Sequence, residues 1–233
     1  MVSSLLFAAL LLVAVAVFLR SVLRLYRIMA RGRDNDLKLT DRVAARVASV
    51  LVYFFLQKKV GEPMSYAIPA GATSKHHLFI FAGFMIITLG SAEFILQGLL
   101  WDVVPGFSFR MFLGPVYPLL SWSIDLFSGI VLVMVLYAYF RRIVLKPRLI
   151  PLSADAAFIL AQIGMLCVSH FGFHGFHYAA SAQPESLGPL SDAIGKAMTG
   201  VGGAHLISEA SRWVHAAILL FFLNYLPYSK HIH

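Results

Sequence analysis

Charged residues and cysteine are both scarce in this chain of 233 residues. Charged side chains make up 13% of it, and it has one cysteine, Cys167. A single cysteine excludes an intrachain disulfide and is too few for an iron–sulfur cluster held by this chain alone. We therefore interpret Cys167 as a packing residue. The low share of charge also excludes a solvated, disordered chain.

What the chain has in excess is apolar sequence. Hydrophobic residues make up 59% of it, and its mean hydropathy is +0.79. Five runs approach the roughly 20 residues with which an α-helix crosses a bilayer, and no alternation typical of a membrane β-barrel competes with them. The runs lie at about 3–23, 78–100, 113–140, 154–177 and 211–229. The sequence predicts an all-α membrane protein with five transmembrane helices, forming a single domain over residues 1–233.

The basic residues are distributed unevenly around these runs. No Lys or Arg precedes the first run, whereas several follow it: Arg20, Arg24, Arg27, Arg31 and Arg33. Because basic flanks stay in the cytoplasm, we predict an N-terminus outside, a cytoplasmic C-terminus and a multi-pass location in the cell inner membrane. The net charge of +8 then reflects topology and attraction to anionic membrane lipid, and it gives no reason to expect nucleic-acid binding.

Two shorter helices are predicted between the spans. Thr40 and Asp41 can cap a helix over residues 42–59, which we interpret as an interfacial helix with basic ends between the first and second spans. A second short helix is predicted around residues 190–198, in the loop between the fourth and fifth spans.

The chain has nine histidines, and most lie at the ends of the apolar runs. Polar rings in or near hydrocarbon are costly, so this pattern indicates a ligand that the rings coordinate, and haem iron is the best candidate. The histidines concerned are His76 and His77 in the second run, His170, His174 and His177 in the fourth, and His215, His231 and His233 in or after the fifth.

The predicted topology brings the cytoplasmic ends of the second and fifth spans together. A b haem takes two imidazoles, and different helices of a bundle can supply them. We therefore expect His77 and His233 to hold an inner haem. His215 precedes His233 by about five helical turns, or about 27 Å along the axis, so on a continuous helix the two would share a face. That spacing suits two haems across the membrane.

An outer haem is expected between His215 and the fourth span. His170 lies at a similar depth to His215, and His170, His174 and His177 share one helix face. Any one of these three could be the axial ligand, and we place His170 first and His174 second. We expect His174, His177 and Glu93, which lie in the outer halves of their helices, to exchange protons with a quinone.

Three segments resemble a known family. They are His77-Leu-Phe-Ile-Phe-Ala-Gly-Phe84, Trp213-Val214-His215 and the closing Leu226-Pro-Tyr-Ser-Lys-His-Ile-His233. They resemble the membrane part of fused cytochrome b and iron–sulfur oxidoreductases. That family is similar to the gamma subunit of respiratory nitrate reductase and the membrane subunit of heterodisulfide reductase, and it includes electron-transfer-flavoprotein:menaquinone oxidoreductases.

The resemblance implies a five-helix cytochrome b that passes electrons between a cytoplasmic iron–sulfur or flavoprotein partner and membrane quinone, with menaquinone expected. His77, His215 and His233 match three of the family's four ligand positions, and the fourth falls at Ile86 and Ile87. In fused members of the family a cysteine-rich cytoplasmic domain follows the last helix. We therefore expect such a domain either beyond the sequence given or on a separate subunit. The direction of electron flow stays open.

Two other functions remain open from the residues alone. The spacing His170-x-x-x-His174-x-x-His177 also suits zinc, copper or iron without haem, which would indicate a transporter or a metal-dependent membrane enzyme. The histidines could instead only form hydrogen bonds between the helices of a structural anchor.

The predicted topology can be tested with reporters. Green fluorescent protein fused after His233 should fluoresce, and alkaline phosphatase fused there should be inactive, because the C-terminus is expected in the cytoplasm. The same two reporters fused after Ala182, in the loop expected outside, should behave in the opposite way. The reverse result at both positions would invert the topology and the depth assigned to every histidine.

Overall fold

The computed structural model describes residues 2–31, 42–58, 75–100, 102–145, 153–182 and 185–229. Within these ranges the chain is all helical, which confirms the predicted fold class. The α-helices are α1 (Val2–Ala30), α2 (Val43–Ser49), α3 (Lys75–Leu100), α4 (Arg110–Leu113), α5 (Tyr117–Phe140), α6 (Ala154–Ala180), α7 (Pro189–Ala197) and α8 (Ala204–Tyr225).

Five helical segments are long and apolar enough to cross a membrane, as predicted. They are Ser4–Ala30, Leu78–Leu100, Arg110–Leu145, Ala154–Ala180 and Ala204–Tyr228. The last of them begins before residue 211, where the sequence had placed its start. The first turns of this helix contain polar residues, so a search for long apolar runs does not detect them. An ion pair one turn apart, Arg212 Nη2 to Glu209 Oε2 at 2.5 Å, forms in this polar part of the helix.

The five spanning helices form a ring. Helix α3 packs against α5, α5 against α6, and α6 against α8, while α1 lies between α3 and α8 and closes the ring. A cluster of buried residues fills the contact between α5 and α6: Val131, Val135, Ala138, Leu160 and Cys167. Cys167 is 3% exposed in this cluster, in agreement with its interpretation as a packing residue.

Small residues let the helices approach closely. A Cβ at Gly98 of α3 would meet the Phe7 ring of α1 at 2.6 Å, and one at Gly172 of α6 would meet Ser211 Oγ of α8 at 2.7 Å. Lipid tails are as apolar as the side chains themselves, so helices in a membrane associate through such close packing and through hydrogen bonds. These glycines therefore set the distances between neighbouring helices.

The described part of the segment between the first two spans, residues 42–58, is helical over Val43–Phe55. Helix α2 continues as a π-helical turn over Val50–Phe55, and neither part has a buried residue. The residue before α2 is Arg42, in a left-handed conformation with φ 50° and no capping hydrogen bond from its side chain. The predicted caps, Thr40 and Asp41, lie outside the described residues.

The last span does not continue as one helix to the C-terminus. Helix α8 ends at Tyr225, and a 3-10 turn over Leu226–Tyr228 follows, with Pro227 inside it. Proline lacks the N–H that would extend the helix. The expectation that His215 and His233 share one face of a continuous helix is therefore wrong, because the helix ends between them.

The inner haem site stays a prediction. His231 and His233 lie outside the described residues, as does the side chain of His77 in the first turn of α3.

Helix α7, predicted around residues 190–198, is anchored by a carboxylate from another helix. The backbone N–H groups of Leu190 and Ser191 donate to Asp125 of α5 at 2.7 and 3.1 Å, and the Ser191 hydroxyl also donates to it. Asp125 is 1% exposed. The first N–H groups of a helix have no partner within the helix and carry partial positive charge, so they stabilise a buried carboxylate. The backbone at Gly188 approaches Asp125 so closely that a Cβ there would overlap the carboxylate.

Replacement of Gly188 by alanine should therefore destabilise the protein. The added methyl group would push Asp125 away from the start of α7, and overpacking of this kind costs about 1–3 kcal/mol. Thermal unfolding in detergent measures the loss. Gly202→Ala is the matched control, since a Cβ at Gly202 meets nothing within 4 Å. Equal stabilities for the two variants would show that the contact with Asp125 does not hold α7.

Candidate functional site

A cavity of about 590 Å³ lies inside the ring, lined by side chains from all five spanning helices. Its volume falls in the range of roughly 300–1,000 Å³ that is usual for ligand and cofactor sites. The cavity lies at the end of the bundle that the predicted topology assigns to the outside. Every predicted site residue with a described side chain lines it: Glu93, His170, His174, His177 and His215.

His215 of α8 is fixed in one tautomer. Its ring is 6% exposed, and its Nδ1 atom lies 2.9 Å from the hydroxyl oxygen of Ser169 on α6. The Ser169 hydroxyl donates its own hydrogen to the carbonyl oxygen of Leu166 at 3.0 Å, so it accepts from an Nδ1–H of His215. The proton therefore sits on Nδ1, and Nε2 keeps its lone pair.

Two phenylalanines pack around the His215 ring. Its centroid lies 5.0 Å from that of Phe94 and 5.4 Å from that of Phe173. Phe173 also contacts His174, with centroids 3.9 Å apart, and His170, at 5.7 Å. One aromatic ring thus touches three imidazoles of the cavity, those of His170, His174 and His215. His215 contacts Ser169, which directly precedes His170. His215 and His170 therefore lie at a similar depth in the bundle, as predicted from the sequence.

His170 carries an unsatisfied nitrogen. Its Nε2 atom is buried without a hydrogen-bond partner among the described residues, and the nearest carboxylate oxygen is Asp125 Oδ1 at 3.8 Å. That separation is too long for a hydrogen bond. The His170 and His174 rings lie edge to face with centroids 4.5 Å apart, so both belong to the same part of the cavity. Both rings line the same cavity as His215.

The three histidines of α6 do not form a metal cluster of their own. Within the described ranges, no group of three His, Cys, Asp or Glu side chains is arranged to hold a metal ion. His177, the third member of the spacing, is exposed at the rim. The zinc-type interpretation of these residues therefore gains no support from the part of the chain that the structure describes.

Glu93 has a structural role that the sequence did not reveal. It is 6% exposed, and its Oε1 atom accepts hydrogen bonds from Ser108 Oγ at 2.5 Å and from the backbone N–H of Phe109 at 2.8 Å. These bonds tie the loop after α3 to the wall of the cavity just before α4. The carboxylate therefore holds this loop and also lines the cavity.

Sequence reasoning missed Ser169, Phe94 and Phe173, which position the predicted ligands. Ser169 had a weak signal, because a small hydroxyl residue directly before His170 can face a neighbouring helix. The two phenylalanines had none, since aromatic residues are frequent throughout the apolar runs. Their roles follow only from the packing of α3, α6 and α8.

No protein-family model matches the chain, and no solved structure matches it either. The chain is similar to the probable iron-sulfur-binding oxidoreductase FadF of Bacillus subtilis (strain 168), with 30% identity over 196 residues, or 83% of this chain. The matched part covers 26% of that relative, so the chain spans about a quarter of the relative's length. The similarity agrees with the expected relation to iron–sulfur oxidoreductases.

The two bonds to Glu93 predict how its variants behave. Glu93→Ala should lower the free energy of unfolding by about 1 kcal/mol, because it leaves the Phe109 N–H without its acceptor in a partly buried setting. Glu93→Gln keeps an acceptor oxygen and should cost much less. Unfolding in detergent compares the two variants with the parent protein. A Glu93→Ala protein as stable as the parent would show that these bonds do not hold the loop.

Proposed function

We propose that the chain is the haem b-containing membrane part of an oxidoreductase, which transfers electrons between a cytoplasmic iron–sulfur or flavoprotein partner and membrane quinone. The observation that carries the proposal is the fixed tautomer of His215 beside a cofactor-sized cavity. Similarity to an iron–sulfur-binding oxidoreductase and the five spanning helices support the electron-transfer class.

The residues of the cavity fit haem in their donor chemistry. Metal-bound histidines commonly donate their second ring N–H to a neighbour, which fixes the tautomer and raises the basicity of the ligand nitrogen. The bond from His215 to Ser169 has this form. His170, with an unsatisfied buried nitrogen, or His174 would supply the second imidazole from α6. When bound, haem would supply one-electron exchange, with a potential that depends on its ligands and its burial.

The protein's own residues would set the conditions for that exchange. Phe94 and Phe173 pack against the His215 ring and would give it an apolar surrounding. Ser169 holds the ring in place and retains its proton on Nδ1. An apolar wall and a fixed ligand together favour a stable haem site in the bundle.

We place the quinone at the rim of the same cavity. Reduction of a quinone to a quinol consumes protons as well as electrons, so the site needs titratable groups close to it. His174, His177 and Glu93 line the cavity, and His177 is exposed at its edge. Menaquinone is the expected substrate. On this proposal His77 and His233 would hold the inner haem, which would supply one-electron exchange at the cytoplasmic side.

A difference spectrum tests the proposal directly. The purified protein should show a b-type α band when reduced, and His215→Ala should lose about one haem per chain, because it removes the preorganised ligand. Val214→Ala is the control, since Val214 is an exposed neighbour on α8 that does not line the cavity. A colourless parent protein, or a His215→Ala protein with full haem content, would refute the assignment.

Three further variants belong to the same experiment. Whichever of His170→Ala and His174→Ala loses haem identifies the second ligand, and full haem in both would exclude α6 as its source. Ser169→Ala should leave His215 in place but weaken haem binding about 10- to 100-fold, as loss of a supporting hydrogen bond typically does.

A further inference from the structure

A basic groove runs along the C-terminal part of α1, at the opposite end of that helix from the cavity. Its volume is about 790 Å³, and Tyr228, just after α8, forms its other wall. Four arginines line it: Arg20, Arg24 and Arg27 of α1, and Arg31 directly after it. The proposed function uses none of these residues.

The four arginines form a row on one helix face. Their spacing of four, three and four residues follows the helical repeat and covers about 16 Å along the axis. All four are exposed, and no ion pair links any of them to a carboxylate among the described residues. Like charges in such a row repel one another. An anionic ligand would relieve that repulsion.

The same turns of α1 are otherwise apolar and open. Leu19, Leu23 and Ile28 are 50%, 51% and 58% exposed, and Met29 is 72% exposed. The helix that carries the row is long and apolar enough to span a membrane. A ligand at this level must therefore offer negative charge to the arginines and apolar chains to the surface beside them. An acidic soluble protein would meet the second requirement poorly, whereas a phospholipid meets both.

A hydrogen bond joins the two sides of the groove. The Ser21 hydroxyl donates to the carbonyl oxygen of Val17 at 3.0 Å, so the Tyr228 hydroxyl donates to Ser21 Oγ at 2.8 Å. This bond joins α1 to the turn that follows α8. A ligand in the groove would touch both sides of that contact.

We propose that the basic groove binds the phosphate headgroup of an anionic phospholipid and thereby clamps α1 against the end of α8. Basic pockets between membrane helices bind lipid phosphates in this way. The site is independent of haem, and its occupancy stabilises the contact between the first and last spans.

The test is a lipid titration of the purified protein in detergent, followed by its thermal unfolding. Phosphatidylglycerol should raise the unfolding midpoint, because the lipid binds the folded form, while phosphatidylcholine and inorganic phosphate should not. In Arg24→Gln/Arg27→Gln the concentration needed should rise about 25-fold, at about fivefold for each arginine. Arg24→Lys/Arg27→Lys should restore most of the effect, since it restores the charge.

The matched control removes the same charge elsewhere. Arg42→Gln/Lys58→Gln changes two exposed basic residues outside the groove and should respond to phosphatidylglycerol as the parent does. If both double variants respond equally weakly to phosphatidylglycerol, the lipid responds to the overall surface charge and not to the groove, and the proposal would fail. It would fail equally if inorganic phosphate or an acidic peptide stabilised the protein as well as the lipid did. If the double glutamine variant does not fold, Arg24→Gln alone must still weaken the response about fivefold.

Discussion

The contact between α6 and α8 is the interaction on which the cavity depends. Gly172 leaves room for Ser211, the Ser208 hydroxyl donates to the carbonyl oxygen of Phe173 at 2.9 Å, and Ser169 accepts from His215. Helices in a membrane gain nothing from hiding apolar side chains from water, so small residues and hydrogen bonds of this kind must hold them together. The same contact that joins the two helices therefore also orients the proposed haem ligand.

The polar groups around the cavity include two kinds. Asp125 and Glu93 are satisfied, the first by the start of α7 and the second by the loop before α4. Among the described residues, the Nε2 atom of His170 is buried without a hydrogen-bond partner, while His215 bonds to Ser169 through Nδ1 and lines the same cavity. Because an unpaired polar group in a protein interior is costly, such a nitrogen indicates where a ligand belongs. The first kind builds the scaffold, and the second kind defines the proposed site.

Helix α1 connects the two proposed ligand sites. Ser4 and Phe7, near its start, line the cavity, whereas the arginines of the basic groove lie along its last turns. The hydrogen bond from Tyr228 to Ser21 fixes α1 to the end of α8, which also carries His215. On our proposals, a lipid at one end of α1 would thus stabilise the pair of helices that encloses the haem site at the other end.

The sequence alone determined the all-α class, the five spans, the short helix α7 and the histidines that came to line one cavity. These features depend on apolar length and spacing within single segments, which can be counted along the chain. Only the tertiary structure decided that Asp125 would cap α7, that Glu93 would hold a loop and that Ser169 would fix the proton of His215. Each of these contacts joins residues from different segments, such as Ser169 on α6 and His215 on α8. The sequence pattern of a single segment cannot specify these contacts. Which faces of two helices meet depends on where small residues on both helices allow close approach.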